Sequence, residues 1–186
     1  SVSSPLPDPP HPHRFTVHDY HRMGEAGVLA PEARVELIEG EVIDMAPIGA
    51  RHAAVVNRLN EALSAAVRGA GILSVQNPIR LDEHSEPQPD FAVLRPRADG
   101  YETALPGPQD VLLVVEVADS SLAHDRDRKF PLFARHGIPE AWLVHLPASR
   151  LVRHRQPGRD GFAVVEPVVP IGVLAVPGLA DRTVDL

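Results

Sequence analysis

No cysteine occurs anywhere in the 186 residues. Disulfides, thiolate-ligated zinc and cysteine nucleophiles are therefore excluded, and a cytoplasmic location is the expected setting. Aromatic residues are scarce, at 4% of the chain, so Val, Leu, Ile and Ala have to supply most of a core. Lysine is nearly absent: of 18 Lys and Arg residues, only Lys129 is a lysine. No stretch approaches the roughly 18 apolar residues that a membrane span needs. The N-terminus lacks the basic-then-apolar layout of a secretory signal. Positive charge is in deficit as well, with a formal net charge of -7. Phosphate contacts need Lys and Arg, so this balance argues against a broad nucleic-acid-binding surface and leaves room only for a local basic patch.

What is present suffices for a folded domain. The chain is 44% hydrophobic and 23% charged, the composition of a soluble globular protein of about one domain. Residues 1–13 are Pro-rich without apolar period and predict a disordered or extended tail; residues 14–186 are expected to form one domain. Thr16 reads as the N-cap of a short helix ending at Gly24 or Gly27. RVELIEGEVIDMAP alternates on both sides of Glu39-Gly40, a hairpin pattern. Residues 51–68 carry Val55, Val56, Leu59, Leu63 and Val67 at helical spacing. ILSVQNPIRL reads as extended and DEHSEPQP as a loop, and DFAVLRP is a strand after Pro89. Residues 97–109 form a Pro/Gly loop. VLLVVEVA, residues 111–118, is apolar on both faces and so predicts a central strand. A helix over roughly 123–136 follows, kinked or divided at Pro131. AWLVHL and a strand-rich C-terminal tail complete the chain. The order predicts an α/β fold: a central mixed sheet flanked by helices, with an N-terminal hairpin and C-terminal strands.

The chemistry centres on Glu116, which ends the apolar run VLLVV. A carboxylate there loses hydration and needs a cation or a proton. A second acid, Asp90, opens the strand DFAVLR directly after a proline. If those strands are neighbours, both carboxylates reach one region. Two such oxygen ligands with room for water suit Mg2+ or Mn2+, which would polarise a phosphoryl oxygen. Asp125 and Lys129 lie four residues apart on one helix face, and that face can be aimed at Glu116. A lysine there can orient water or stabilise charge on phosphorus.

With Pro89 before Asp90, and Glu116 beyond it, the chain resembles the PD-(D/E)xK pattern of the restriction-endonuclease-like superfamily. More narrowly it resembles the Uma-two family. The matching pieces are ELIEGEVIDMAP, His52 opening a helix, PQPDFAVLRP, VVEVADSS, DRDRKFPLFARHGIPEAWLV and VPGLADRTVDL. Together they cover most of residues 15–186. The position two after Glu116 is Ala118, a departure from the superfamily pattern; in the narrower family the basic residue is expected on the following helix, which fits Lys129. The resemblance also implies a glutamate from the hairpin near the metal, with Glu36 chosen over Glu39 and Glu41, and His52 at the mouth of the site. The metal set is then Asp90, Glu116 and Glu36, and the catalytic set adds Lys129 and His52. The implied fold is a restriction-endonuclease-like core and the implied activity an Mg2+- or Mn2+-dependent endonuclease acting on DNA. A homodimer is expected, because cutting two strands calls for two sites.

Other readings stay open. The acids also suit a structural role in a non-catalytic nucleic-acid-binding or interaction module, which the charge of -7 favours, or the site could hydrolyse a small phosphate ester. Arg150, Arg153, Arg155 and Arg159 read either as a phosphate patch or as a charged, solvated edge strand. His11, His13, His18 and His21 invite a zinc reading but sit in or near the predicted tail.

Overall fold

Thr16 begins the first regular element of the computed structural model, which describes residues 6–186. Of the expected tail, residues 1–5 lie outside the described residues, and residues 6–13 form no regular secondary structure. Helix α1 spans Val17–Glu25. The Thr16 hydroxyl accepts from the Asp19 N–H at 3.0 Å, and the Thr16 N–H donates to Asp19 Oδ2 at 3.0 Å. This reciprocal cap satisfies two N–H groups at the helix start.

Strands β1 (Val35–Ile38) and β2 (Glu41–Asp44) form a separate antiparallel hairpin. Its two turn residues, Glu39 and Gly40, have φ of 50° and 82°, as a tight primed turn requires. A Cβ on Gly40 would stand 2.6 Å from the Cβ of Arg14, so the chain entering α1 can cross the turn closely only because that residue is glycine.

Helix α2, Ala50–Val67, buries Val56, Leu59, Leu63, Ala66 and Val67 along one side. The main sheet has six strands in the order β3-β4-β5-β6-β7-β8. These are β3 (Ile72–Val75), β4 (Phe91–Leu94), β5 (Val111–Ala118), β6 (Glu140–His145), β7 (Arg150–Gly158) and β8 (Gly161–Pro167). Only β5 and β6 pair parallel; the other neighbours are antiparallel.

All eight residues of β5 are buried, as expected for a strand covered on both faces. Alternation along the strand sorts its side chains: Leu113, Val115 and Val117 pack with α2 in one core. Val114 and Ala118 pack on the other face against Phe130 and Phe133. Glu116 shares the second face, since residues two apart in a strand point the same way. The C-terminal strands β9 (Val173–Ala175) and β10 (Thr183–Asp185) pair apart from the main sheet and add Leu174 and Val184 to the α2 core. No helix among the described residues is long and apolar enough to cross a membrane.

Two local expectations need refining. The helix after β5 is divided just ahead of Pro131, by a change of helical type and not by a break. It runs as α3 (Leu122–His124), a π-helical turn (Asp125–Lys129) and α4 (Phe130–Arg135). The Phe130 N–H donates to the Asp125 carbonyl, one residue wider than an α-helical bond. Proline has no N–H to give the regular ladder, and the irregularity falls just before it. The arginine-bearing β7 is not an edge strand; β8 covers it. Arg153 and Arg155 both donate to Glu166 of β8, at 2.7 and 2.6 Å, so the acid beside them absorbs much of their charge.

Candidate active site

The end of β5, the start of β4, the β1–β2 hairpin and the π-helical turn converge on one cleft of about 420 Å³. Lys129 lies at its base and is 1% exposed. Its ammonium is 2.9 Å from Glu36 Oε1, 3.0 Å from Glu116 Oε2 and 4.0 Å from Asp125 Oδ1. The π turn puts both Asp125 and Lys129 inside while Arg126 and Arg128 remain outside the core.

Asp90 and Glu116 are locked together through the backbone. The Asp90 N–H donates to Glu116 Oε1 at 3.1 Å, and the Val117 N–H donates to Asp90 Oδ2 at 2.7 Å. The other oxygen of Asp90 receives only a long contact from the Gln76 amide, at 3.4 Å. Both acids therefore face the same cleft. His52, in the first turn of α2, has its Nε2 3.5 Å from Asp90 Oδ2, and its buried Nδ1 has no hydrogen-bond partner.

Glu36 comes from β1, the strand of the hairpin that also bears Leu37 and Ile38 of the core. It accepts from the Gln88 N–H at 3.1 Å and contacts His124 Nε2 at 3.2 Å. Its rivals point elsewhere: Glu39 and Glu41 are exposed side chains that face Arg128. His124 and Gln88 escape the sequence reading. His124 precedes Lys129 by five residues, which at 3.6 per turn points it to another side of the helix. The wider π turn changes that relation, and the only sequence signal for it is Pro131. The histidines near the N-terminus gather no metal site: among the described residues, His21 is bound to Glu86 at 2.8 Å.

Electrostatics follow from this crowding. Burial pushes the Glu116 carboxyl well above its usual range; the Lys129 ammonium opposes this, while Asp125, Asp90 and Glu36 reinforce it. Burial also raises Asp125, against the pull of Lys129 and a hydrogen bond from Ser121. Burial works to raise Glu36 too, but there Lys129, His124 and the Gln88 N–H prevail and hold it at about 2. Lys129 is raised: burial disfavours its charge, yet Glu116, Glu36 and Asp125 outweigh burial. His52 is raised chiefly by its contact with Asp90.

The donor set suits a hard divalent cation. Three buried carboxylates, from Glu36, Glu116 and Asp125, lie within 4.0 Å of one buried ammonium, and a fourth, Asp90, is bound to Glu116 through its N–H. That excess of negative charge is costly in a low-dielectric site unless a further cation or protons neutralise it. Asp90, Glu116 and Glu36 offer the oxygen atoms that Mg2+ or Mn2+ takes.

The crystal structure of "a putative nuclease belonging to DUF820" from Anabaena variabilis is similar over 88% of this chain and 89% of that one, with a TM-score of 0.65 and 16% sequence identity. Likeness at this identity speaks to the fold, and the fold is the nuclease-like α/β one expected from the sequence. No curated protein matches the sequence. Residues 17–184 match the model of the family described as "Putative restriction endonuclease", and the chain belongs to that family, Uma2.

Proposed function

We propose that the protein is a divalent-metal-dependent endonuclease that hydrolyses DNA phosphodiester bonds. The observation that carries this reading is the cluster of three buried carboxylates around the single ammonium of Lys129, with Asp90 tied to one of them, Glu116, through its N–H. Asp90, Glu116 and Glu36 would hold Mg2+ or Mn2+. When bound, the cation supplies Lewis acidity to the phosphoryl group.

The chain's own residues do the rest. Lys129 carries three N–H donors on a stem fixed by burial, so its position is set before substrate arrives. It donates to an oxygen that gains negative charge at the pentavalent phosphorus, or orients the attacking water. Glu36 and Glu116 keep that ammonium charged. His52 holds the Asp90 carboxylate from the mouth of the cleft. The uncapped first turn of α2, which opens at Gly49 beside His52, presents free N–H groups that suit a phosphate oxygen.

A second reading has one observation in its favour. Among the described residues, no group of three or more His, Asp and Glu side chains is arranged as a metal cage, and Lys129 already bridges Glu36 and Glu116. A non-catalytic DNA-binding module that keeps these residues as a buried ion network would look the same. Calorimetric titration with Mn2+ and a cleavage assay on circular single-stranded DNA separate the two. The nuclease reading expects Mn2+ to bind wild type and to bind Asp90→Ala far more weakly. It also expects metal-dependent cleavage that is lost in Lys129→Ala, provided circular dichroism shows that variant folded. DNA binding without metal and without cleavage would establish the module instead.

A further inference from the structure

Resting on the nuclease reading above, we propose that the substrate of this site is unpaired DNA, fed into the cleft as an extended strand, and not an intact duplex. Three observations lead there: the depth of the reacting groups, the chemistry of the cleft walls and the charge at its rim.

The groups that would touch a phosphate lie low. Asp90 is 7% exposed, Glu116 4% and Lys129 1%. A scissile phosphate must descend into a cleft of about 420 Å³ to meet them. That volume lies toward the small end of pockets that enclose a single small ligand, about 300–1,000 Å³. One nucleotide fits such a space. The phosphates of a duplex are held on the outside of a stiff double helix, and the partner strand follows wherever one strand goes. Enzymes that need a nucleotide deep in a pocket therefore act on single strands or extrude the nucleotide from the stack.

The walls differ in chemistry. Ile43, Met45, Pro47 and Ile48, from β2 and the segment after it, give part of the lining apolar side chains. Ile48 is 43% exposed there. Another part of the lining is polar, with Asp119, Ser121 and His124. An unstacked base has an apolar face to lay against the first part, as flipped bases do against apolar side chains. A paired base has both faces already covered by its neighbours.

Charge points the same way. Arg34 and Lys129 are the Lys and Arg residues lining the cleft, against the acids Glu36, Asp44, Asp90, Glu116, Asp119 and Asp125. A duplex brings one negative charge per roughly 1.7 Å of axis, and the cleft lining offers Arg34 as its one arginine to receive it. The arginines of β7 do not make up the difference, because Glu166 binds two of them. A single strand presents fewer phosphates to the rim, and the one that matters goes to the site.

The test pairs binding with cleavage. Fluorescence anisotropy with Ca2+ in place of Mg2+ compares a labelled single strand of about 12 nucleotides, long enough to span a typical single-strand site, with its blunt duplex. The single strand should bind at least about tenfold more tightly. Ile48→Glu should weaken single-strand binding by about tenfold while leaving the melting temperature unchanged. With Mn2+, a DNA hairpin should be cut in its unpaired loop and not in its stem. Equal or tighter binding of the duplex, cleavage in the stem, or binding of neither form overturns the proposal. Preferential single-strand binding with no cleavage of any substrate upholds the preference for unpaired DNA and overturns the catalytic reading.

Discussion

Lys129 Nζ stands 3.0 Å from Glu116 Oε2, joining a π-helical turn to the end of the central strand with both side chains out of solvent. The pair is also the electrical centre of the fold, because Glu36 and Asp125 depend on the same ammonium. Removing it leaves buried carboxylates uncompensated. Lys129→Met should therefore destabilise the metal-free protein by about 3–5 kcal/mol. At about 2–4 °C per kcal/mol for a chain of this size, the loss is visible by thermal unfolding. Added Mn2+ should restore part of it, since a cation held by the same acids replaces the missing charge.

Glu36 gives the site a signature in acid. Its carboxyl is held at about 2 in the folded protein, against an ordinary value of 4.5. A depressed folded value stabilises the fold fully above about pH 4.5 and progressively less as pH falls toward 2. The whole contribution is about 3 kcal/mol at about 1.36 kcal/mol per unit. Glu36→Gln should lower stability at neutral pH and flatten the loss between pH 4.5 and 2, as measured by urea unfolding across that range.

Glu116 carries the opposite sign. Its folded value is raised, chiefly by burial, so its ionisation opposes folding, and stability falls as pH rises from the ordinary carboxylate range through the raised value. Glu116→Gln should leave the metal-free protein as stable as wild type or more stable, by on the order of 1 kcal/mol, while removing measurable Mn2+ binding. Stability gained where a function is lost is the pattern expected of a binding group, and unfolding curves with and without Mn2+ display it.

His154 provides a second pH window, away from the cleft. It is buried with Nε2 unpartnered, and its ring meets Phe130 edge-on at 4.7 Å. Burial lowers it to about 4 from 6.5. Stability from a neutral His154 is complete above about pH 6.5 and is lost as pH falls toward 4. His154→Leu should remove that dependence and leave the lower window of Glu36 intact.

Much of this architecture can be read from the residues. Thr16 with Asp19, Glu39-Gly40, and the unbroken apolar run before Glu116 each announce a helix start, a turn and a central strand by local chemistry alone. The meeting of Asp90 with Glu116 also follows, once β4 and β5 are neighbours. The choice of Glu36 over Glu39 and Glu41 depends on which side of the hairpin faces the sheet, and alternation narrows that choice without deciding it. His124 and Gln88 were not legible. One needs a π-helical turn that no apolar period encodes, and the other contributes a backbone N–H, which any residue but proline could supply. The place of β7 inside the sheet was not legible either, since β8 leaves its residues half-buried or exposed and nothing in FAVVEP says that it pairs outside β7.

The most direct measurement is anomalous diffraction from a crystal soaked in Mn2+. The account predicts a single strong peak at the cleft floor, about 2.0–2.3 Å from carboxylate oxygens of Asp90 and Glu116, distances that first-row and alkaline-earth cations take with oxygen. A crystal that shows no peak there at millimolar Mn2+, with Lys129 still bridging Glu36 and Glu116, would contradict it.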